Sequence, residues 1–208
     1  MIDYHKDELV MNIDLREKNL SVYKDSFGLH YYSILACLST YFNDSNIVEL
    51  GTLYGNSAAA LAYNKTNKVY TYDIESKEEA VSKFKLEEFK NIEYIITNCI
   101  EDNWQRQTDR DIILSSKLIF LDVDPLDGNI KGEQENKVLN FLISNNWKGI
   151  LVCDDIGLGR EKGKENAHPA MRDWWNSIEL PKYDISKNYF AAGTGTGVVC
   201  FDGQEVIF

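Results

Sequence analysis

Short apolar and β-branched runs recur along the chain at 47–50, 69–72, 92–97, 118–121 and 150–153. Each is bounded by turn-forming or polar residues, which is how buried strands read. Longer stretches with helical spacing lie between most of them. Residues 56–63 are Ala-rich, 76–90 carry a charged and an apolar face, and 132–145 repeat apolar positions at Val138, Leu139, Leu142 and Ile143. A further helix is predicted over 27–42, where Leu29, Tyr32, Ile34, Leu35, Leu38 and Phe42 share a face before Asn43-Asp44-Ser45-Asn46 breaks the run. Strand and helix in alternation predict an α/β fold with a parallel sheet covered on both faces. The end of the chain departs from this rhythm: 183–189 alternates, Gly193-Thr194-Gly195-Thr196-Gly197 can turn, and 198–201 is apolar. That pattern predicts an antiparallel hairpin added to the sheet.

Composition narrows the class. The 208 residues are 44% hydrophobic, enough for one globular unit with its own core. We divide it into an N-terminal helical cap, 1–45, and a main domain, 46–208. Asp and Glu outnumber Lys and Arg by 33 to 22, a net charge of −11 that argues against nucleic acid and anionic membranes as partners. No run approaches the ~18 apolar residues of a spanning helix, and the first twenty residues are charged throughout without the apolar segment of a secretory leader. A cytoplasmic protein is expected. Cys37, Cys99, Cys153 and Cys200 stand singly among apolar neighbours and read as reduced core residues.

Two groups of residues carry candidate chemistry. In the first, Val48-Glu49-Leu50-Gly51-Thr52-Leu53-Tyr54-Gly55-Asn56-Ser57 runs from strand to helix, with glycines where the backbone turns tightly and nears a ligand. The spacing lacks the middle glycine of a dinucleotide fingerprint, which argues against an NAD-linked oxidoreductase. Glu49 suits a cationic ligand and repels pyrophosphate. Asp73 ends the next strand, where it can accept hydrogen bonds from ribose hydroxyls or cap the following helix. In the second group, Asp122-Val123-Asp124 and Asp154-Asp155 follow two strands expected to be neighbours. Strands lie ~4.8 Å apart, so their terminal acids converge and repel unless a cation sits between them. Oxygen donors of this kind suit Mg²⁺; the other reading is that some of these acids cap the following helices or face solvent. Beyond them, 157–168 forms a polar loop with Arg160, Lys162, Lys164 and His168, a solvated loop or a lid over the site. Of Trp174 and Trp175, one is expected in the core; the other either packs there too or flanks the pocket.

Glu49-Leu50-Gly51-Thr52-x-x-Gly55-x-Ser57 resembles the first motif of class I S-adenosylmethionine-dependent methyltransferases, in the form found in small-molecule O-methyltransferases. The similarity extends from about residue 27 onward. It implies a single Rossmann-like domain with a mostly parallel seven-stranded sheet, helices on both faces and a C-terminal antiparallel hairpin. It also implies that the turn from Glu49 to Gly55, with Gly51 and Thr52, holds the methionine part of the cofactor, that Ser57 also binds the cofactor, that Asp73 holds its ribose, and that Asn98 and Cys99 line its adenine. Asp122, Asp154 and Asp155 match the Mg²⁺ ligands of the metal-dependent members, both the catechol and caffeoyl-CoA type and the macrolide or aminocoumarin sugar type. Asp122 also borders the cofactor. Pro125 stands where the catechol-type enzymes place a Lys base, while Asp124 resembles the acidic base of the sugar-type enzymes. His168 is the second candidate base. The implied activity is Mg²⁺-assisted methylation of a hydroxyl on a small sugar-like, polyol or phenolic acceptor. A catalytically inactive nucleoside- or partner-binding module of the same fold is the alternative, and self-association into a homo-oligomer is left open.

Overall fold

Runs that are apolar at every position become strands buried on both faces. The computed structural model describes residues 2–3, 28–100, 104–123, 132–157, 169–185, 195–201 and 206–207. Their elements, in chain order, are β1 (Ile2–Asp3), α1 (Gly28–Thr40), β2 (Asn46–Leu50), α2 (Asn56–Leu61), β3 (Lys68–Asp73) and α3 (Glu78–Phe84). A 3₁₀ turn (Glu87–Phe89), β4 (Ile92–Ile96), α4 (Gln107–Ser115), β5 (Leu118–Leu121), α5 (Glu133–Ser144) and β6 (Ile150–Cys153) follow. The chain ends with α6 (Pro169–Ser177), β7 (Lys182–Asp184), β8 (Gly197–Cys200) and β9 (Val206–Ile207), and β9 pairs in parallel with β1.

The main sheet has seven strands in the order β4-β3-β2-β5-β6-β8-β7. The first five are parallel, and β8 runs antiparallel to both β6 and β7. This is the predicted α/β architecture with its appended hairpin. Because β3 and β4 extend one way from β2 while β5 and β6 extend the other, the winding reverses between β2 and β5. A ligand crevice opens at such a point, beyond the C-terminal strand ends.

Alternate side chains of each strand enter opposite cores. Ile47, Phe120 and Val152 pack with Ile34, Leu35 and Leu38 of α1 and Ala58 and Leu61 of α2. Val48, Leu50, Ile119, Leu121 and Leu151 pack with Ile113 of α4, Val138 and Leu142 of α5, and Trp174 and Trp175 of α6. Neither Trp174 nor Trp175 lines the cavity described below. Both are buried, and a Cβ on Gly197 would lie 2.3 Å from the Trp175 ring, so the indole takes the space that a side chain on β8 would occupy. All four cysteines are buried and none is in a disulfide, as predicted.

The structure departs from the sequence reading in the unpredicted β1–β9 pair and in three further places. Helix α4 lies between the strands predicted at 92–97 and 118–121, where the sequence reading names no element. Its buried positions are Asp109 and Ile113, so an acid occupies the inner face where an apolar stripe would have marked a helix. The helix predicted over 76–90 divides into α3 and the 3₁₀ turn at Leu86, whose backbone is extended. The strand predicted over 183–189 is β7, which ends at Asp184, and 186–194 lie outside the described residues. No helix among the described residues is long and apolar enough to cross a membrane.

Candidate functional site

The turn that leaves β2 is pressed onto the ends of its two neighbours. The Gly51 amide donates to the Tyr72 carbonyl at 2.9 Å, and a Cβ at Gly51 would lie 1.8 Å from the Asp122 carbonyl oxygen. Gly51 therefore has no room for a side chain, and its φ of +99° also favours glycine. Gly55 caps α2 with φ +71°, and its bare Cα is covered by the Phe84 ring, which a Cβ would meet at 2.4 Å.

Asp73, at the end of β3, closes this turn. Its Oδ2 accepts from the backbone amides of Thr52 at 3.0 Å and Leu53 at 2.8 Å, and its Oδ1 accepts from the Glu75 amide at 3.3 Å. The bond from Leu53 helps hold a non-glycine residue at φ +46°. From α3, Lys83 donates to the Tyr54 carbonyl at 2.7 Å and to Asn56 Oδ1. Burial lowers the pKa of its ammonium to about 8.

Glu49 is fully buried. Its Oε2 accepts from the Thr71 hydroxyl, which lies 2.5 Å from the Thr52 hydroxyl, while its Oε1 has no hydrogen-bond partner. Loss of water pushes its pKa up to about 8, and the nearby charges of Asp122 and Asp73 push the same way, against the hydroxyls of Ser57 and Thr71.

These elements enclose a cavity of about 340 Å³ at the switch point. Seven of the nine residues expected around the cofactor line it: Gly51, Thr52, Ser57, Asp73, Asn98, Cys99 and Asp122. Glu49 and Gly55 are not on its surface; Glu49 lies beneath the wall and Gly55 forms the cap behind it. The lining also includes Tyr54, Asn56, Ile74, Glu75, Lys77, Ile100 and Gln134, which sequence reasoning had not selected. Ile74 could have been found from its place, since it directly follows Asp73. Leu53 and Ile74 are each 52% exposed at the mouth, two apolar side chains left open on the same wall.

The expected metal residues are only partly brought together. The Asp122 amide donates to the Leu50 carbonyl at 2.9 Å and the Asp154 amide to the Leu121 carbonyl at 3.0 Å, so both acids stand at adjoining strand ends. Asp122 faces the cavity, whereas Asp154 and Asp155 are not among its lining residues. Asp154 Oδ1 accepts from the Thr196 hydroxyl at 3.4 Å, and Asp155 turns the chain with φ +56°. Among the described residues, no three His, Cys, Asp or Glu side chains form a group that could hold a metal ion. Asp124 and His168, the two candidate bases, lie outside the described residues.

No protein-family model matches the chain. No curated protein matches it. Solved structures do. Podospora anserina methyltransferase PaMTH1, solved with SAH, superposes with a TM-score of 0.58 at 12% identity, over 93% of this chain and 88% of that one. The O-methyltransferase TomG of Streptomyces achromogenes, involved in tomaymycin synthesis and solved with SAM, gives 0.57 at 16%, over 95% and 91%. An rRNA methylase of Streptococcus thermophilus gives 0.52 at 13%, over 87% and 99%. The chain has the Rossmann-like fold of the class I S-adenosylmethionine-dependent methyltransferases.

Proposed function

We propose that this protein is an S-adenosylmethionine-dependent methyltransferase that methylates a hydroxyl of a small molecule. The observation that carries the reading is the glycine turn, closed by Asp73 and walling a cavity at the point where the sheet reverses its winding. When bound there, S-adenosylmethionine supplies a sulfonium-activated methyl group for in-line displacement.

The chain's own part is binding and orientation. Gly51 lets the backbone approach the ligand, and Asp73 offers the carboxylate oxygen lone pairs not used by the turn to ribose hydroxyls. Residues 97–100 and Ile74 supply the half-apolar walls that suit an adenine ring. Asp122 in the wall and Glu49 behind it make the site favourable to a cation. Holding donor and acceptor in line is the larger source of rate in such a transfer. A base then takes the hydroxyl proton, and Asp124 or His168 is the residue proposed for it. The net charge of −11 favours a small acceptor over RNA.

Titration of the purified protein with S-adenosylmethionine, S-adenosylhomocysteine and NADH tests the donor. Micromolar binding of the first two without NADH is expected, and binding of NADH alone would replace this reading with an oxidoreductase. Donor binding with no transfer to any hydroxylated acceptor in a broad screen would favour the inactive module. The role of Mg²⁺ is a separate question. If a divalent ion held through Asp122, Asp154 and Asp155 takes part, EDTA abolishes methyl transfer and leaves donor affinity unchanged. Turnover that is the same with and without chelator removes the ion from the account.

A further inference from the structure

Glu49 is a carboxyl group with no access to water, placed one residue before the cavity wall at Leu50. One oxygen has no partner, and the other is joined through the Thr71 hydroxyl to that of Thr52, a residue of the wall. With the carboxylate ionised, Thr71 donates to it and Thr52 donates to Thr71; with the carboxyl protonated both bonds can reverse, so the row of oxygens can carry a proton in either direction. The groups that face Glu49 are Thr71 on β3, Ser57 on α2, and the charges of Asp73 and Asp122, which oppose its ionisation; Glu49 in turn stabilises the charged form of Lys83 on α3. With two anions and one half-buried cation around it, the charge of whatever fills the cavity tips the balance.

Building on the donor assignment above, we propose that Glu49 is a ligand-responsive counter-charge. It is neutral beneath the free cavity and ionises when a sulfonium cation is seated, passing its proton by way of Thr71 and Thr52 to solvent. The site thereby distinguishes the charged donor from the thioether product, which lacks that charge and leaves Glu49 protonated. The sign follows from linkage. A proton released on binding makes affinity rise with pH, by up to about tenfold per unit, in the interval between the carboxyl's ligand-bound and free pKa values. Below and above that interval the affinity is level. Product affinity lacks this slope, so the donor-to-product ratio grows as pH approaches 8 from below, where the free carboxyl titrates.

Calorimetric titration at pH 7 in two buffers of unequal ionisation enthalpy counts the protons. S-adenosylmethionine is expected to release on the order of half a proton or more beyond the count for S-adenosylhomocysteine. The sulfonium makes the α-amino group of S-adenosylmethionine the more acidic of the two, so holding it as an ammonium adds proton uptake on binding and works against the release expected from Glu49. In Glu49→Gln the difference falls to near zero while both ligands still bind. Should that variant not fold, the wild-type affinity ratio measured from pH 6 to 8 decides: a rising ratio supports the proposal and a flat one overturns it. Equal proton counts for the two ligands remove the counter-charge and leave the donor assignment standing. Binding of neither ligand removes the donor assignment, and the counter-charge with it.

Discussion

Gly51→Ala loses at least about a hundredfold in S-adenosylmethionine affinity, equivalent to about 3 kcal/mol or more, and is less stable than the wild type. The added methyl would lie 1.8 Å from the Asp122 carbonyl oxygen, roughly half an ordinary contact. Neither side can yield cheaply. The peptide group it meets is tied to β2 through the Asp122 amide and Leu50 carbonyl, and Gly51 itself is tied to β3 through Tyr72. Relief requires the turn to leave the strand ends, which displaces Thr52, Leu53 and Asp122 from the cavity wall together. Gly132→Ala provides the comparison. It also has a positive φ, +107°, but its Cβ would meet nothing closer than 3.4 Å. It should cost about 1 kcal/mol of stability from backbone conformation alone and leave donor binding unchanged. Parallel calorimetry and thermal unfolding of the two variants separate crowding at the site from the general penalty of a left-handed residue. Wild-type affinity in Gly51→Ala would mean that the turn does not form the wall.

Asp73→Ala is expected to weaken donor binding about a hundredfold as well, by a different route. The carboxylate accepts from the amides of Thr52 and Leu53, and hydrogen bonds to a charged acceptor contribute about 1.5–3 kcal/mol each. Its removal frees the left-handed Leu53 and takes away the acceptor proposed for the ribose. Asp73→Asn keeps one neutral acceptor oxygen and should fall between the two, with loss of about tenfold. Titration of both variants with S-adenosylhomocysteine checks the order. An alanine variant as tight as the wild type would leave Asp73 as no more than a turn residue on the surface of the site.

The strands of this protein were legible because burial on both faces leaves only apolar residues to choose from. Residues 47–50, 118–121 and 150–153 are apolar or nearly so, and β2, β5 and β6 form there. The turn was legible because Gly51 and Gly55 sit where no side chain fits. Helix α4 was not, because its inner face presents Asp109 beside Ile113 and so lacks the periodic stripe from which a helix is read.

The candidate site shows the same division. Backbone requirements leave marks in sequence, and pairings across the fold do not. Asp73 was identified as an acid at a strand end, but that its Oδ2 would close a turn about twenty residues earlier depends on the β2–β3 register, Leu50 opposite Tyr72. Lys83 was one charge among several on a surface helix until α3 packed its last turn over Gly55. Glu49 was read as facing a ligand, whereas the pleat that buries Val48 and Leu50 on one side of β2 sends Glu49 to the other, beneath the wall. The acids after β5 and β6 reached adjoining strand ends as expected. There Asp155 takes a left-handed φ and Asp154 accepts from the Thr196 hydroxyl, details that no spacing along the chain announces.

A crystal structure of the protein grown with S-adenosylhomocysteine tests the donor assignment most directly. The ribose hydroxyls should lie within hydrogen-bond distance of Asp73, the adenine against Ile74 and residues 98–100, and the amino-acid end over the turn at 51–54. Nucleoside density at any other place on the molecule, or crystals in which the cavity holds only solvent at saturating ligand, would contradict it.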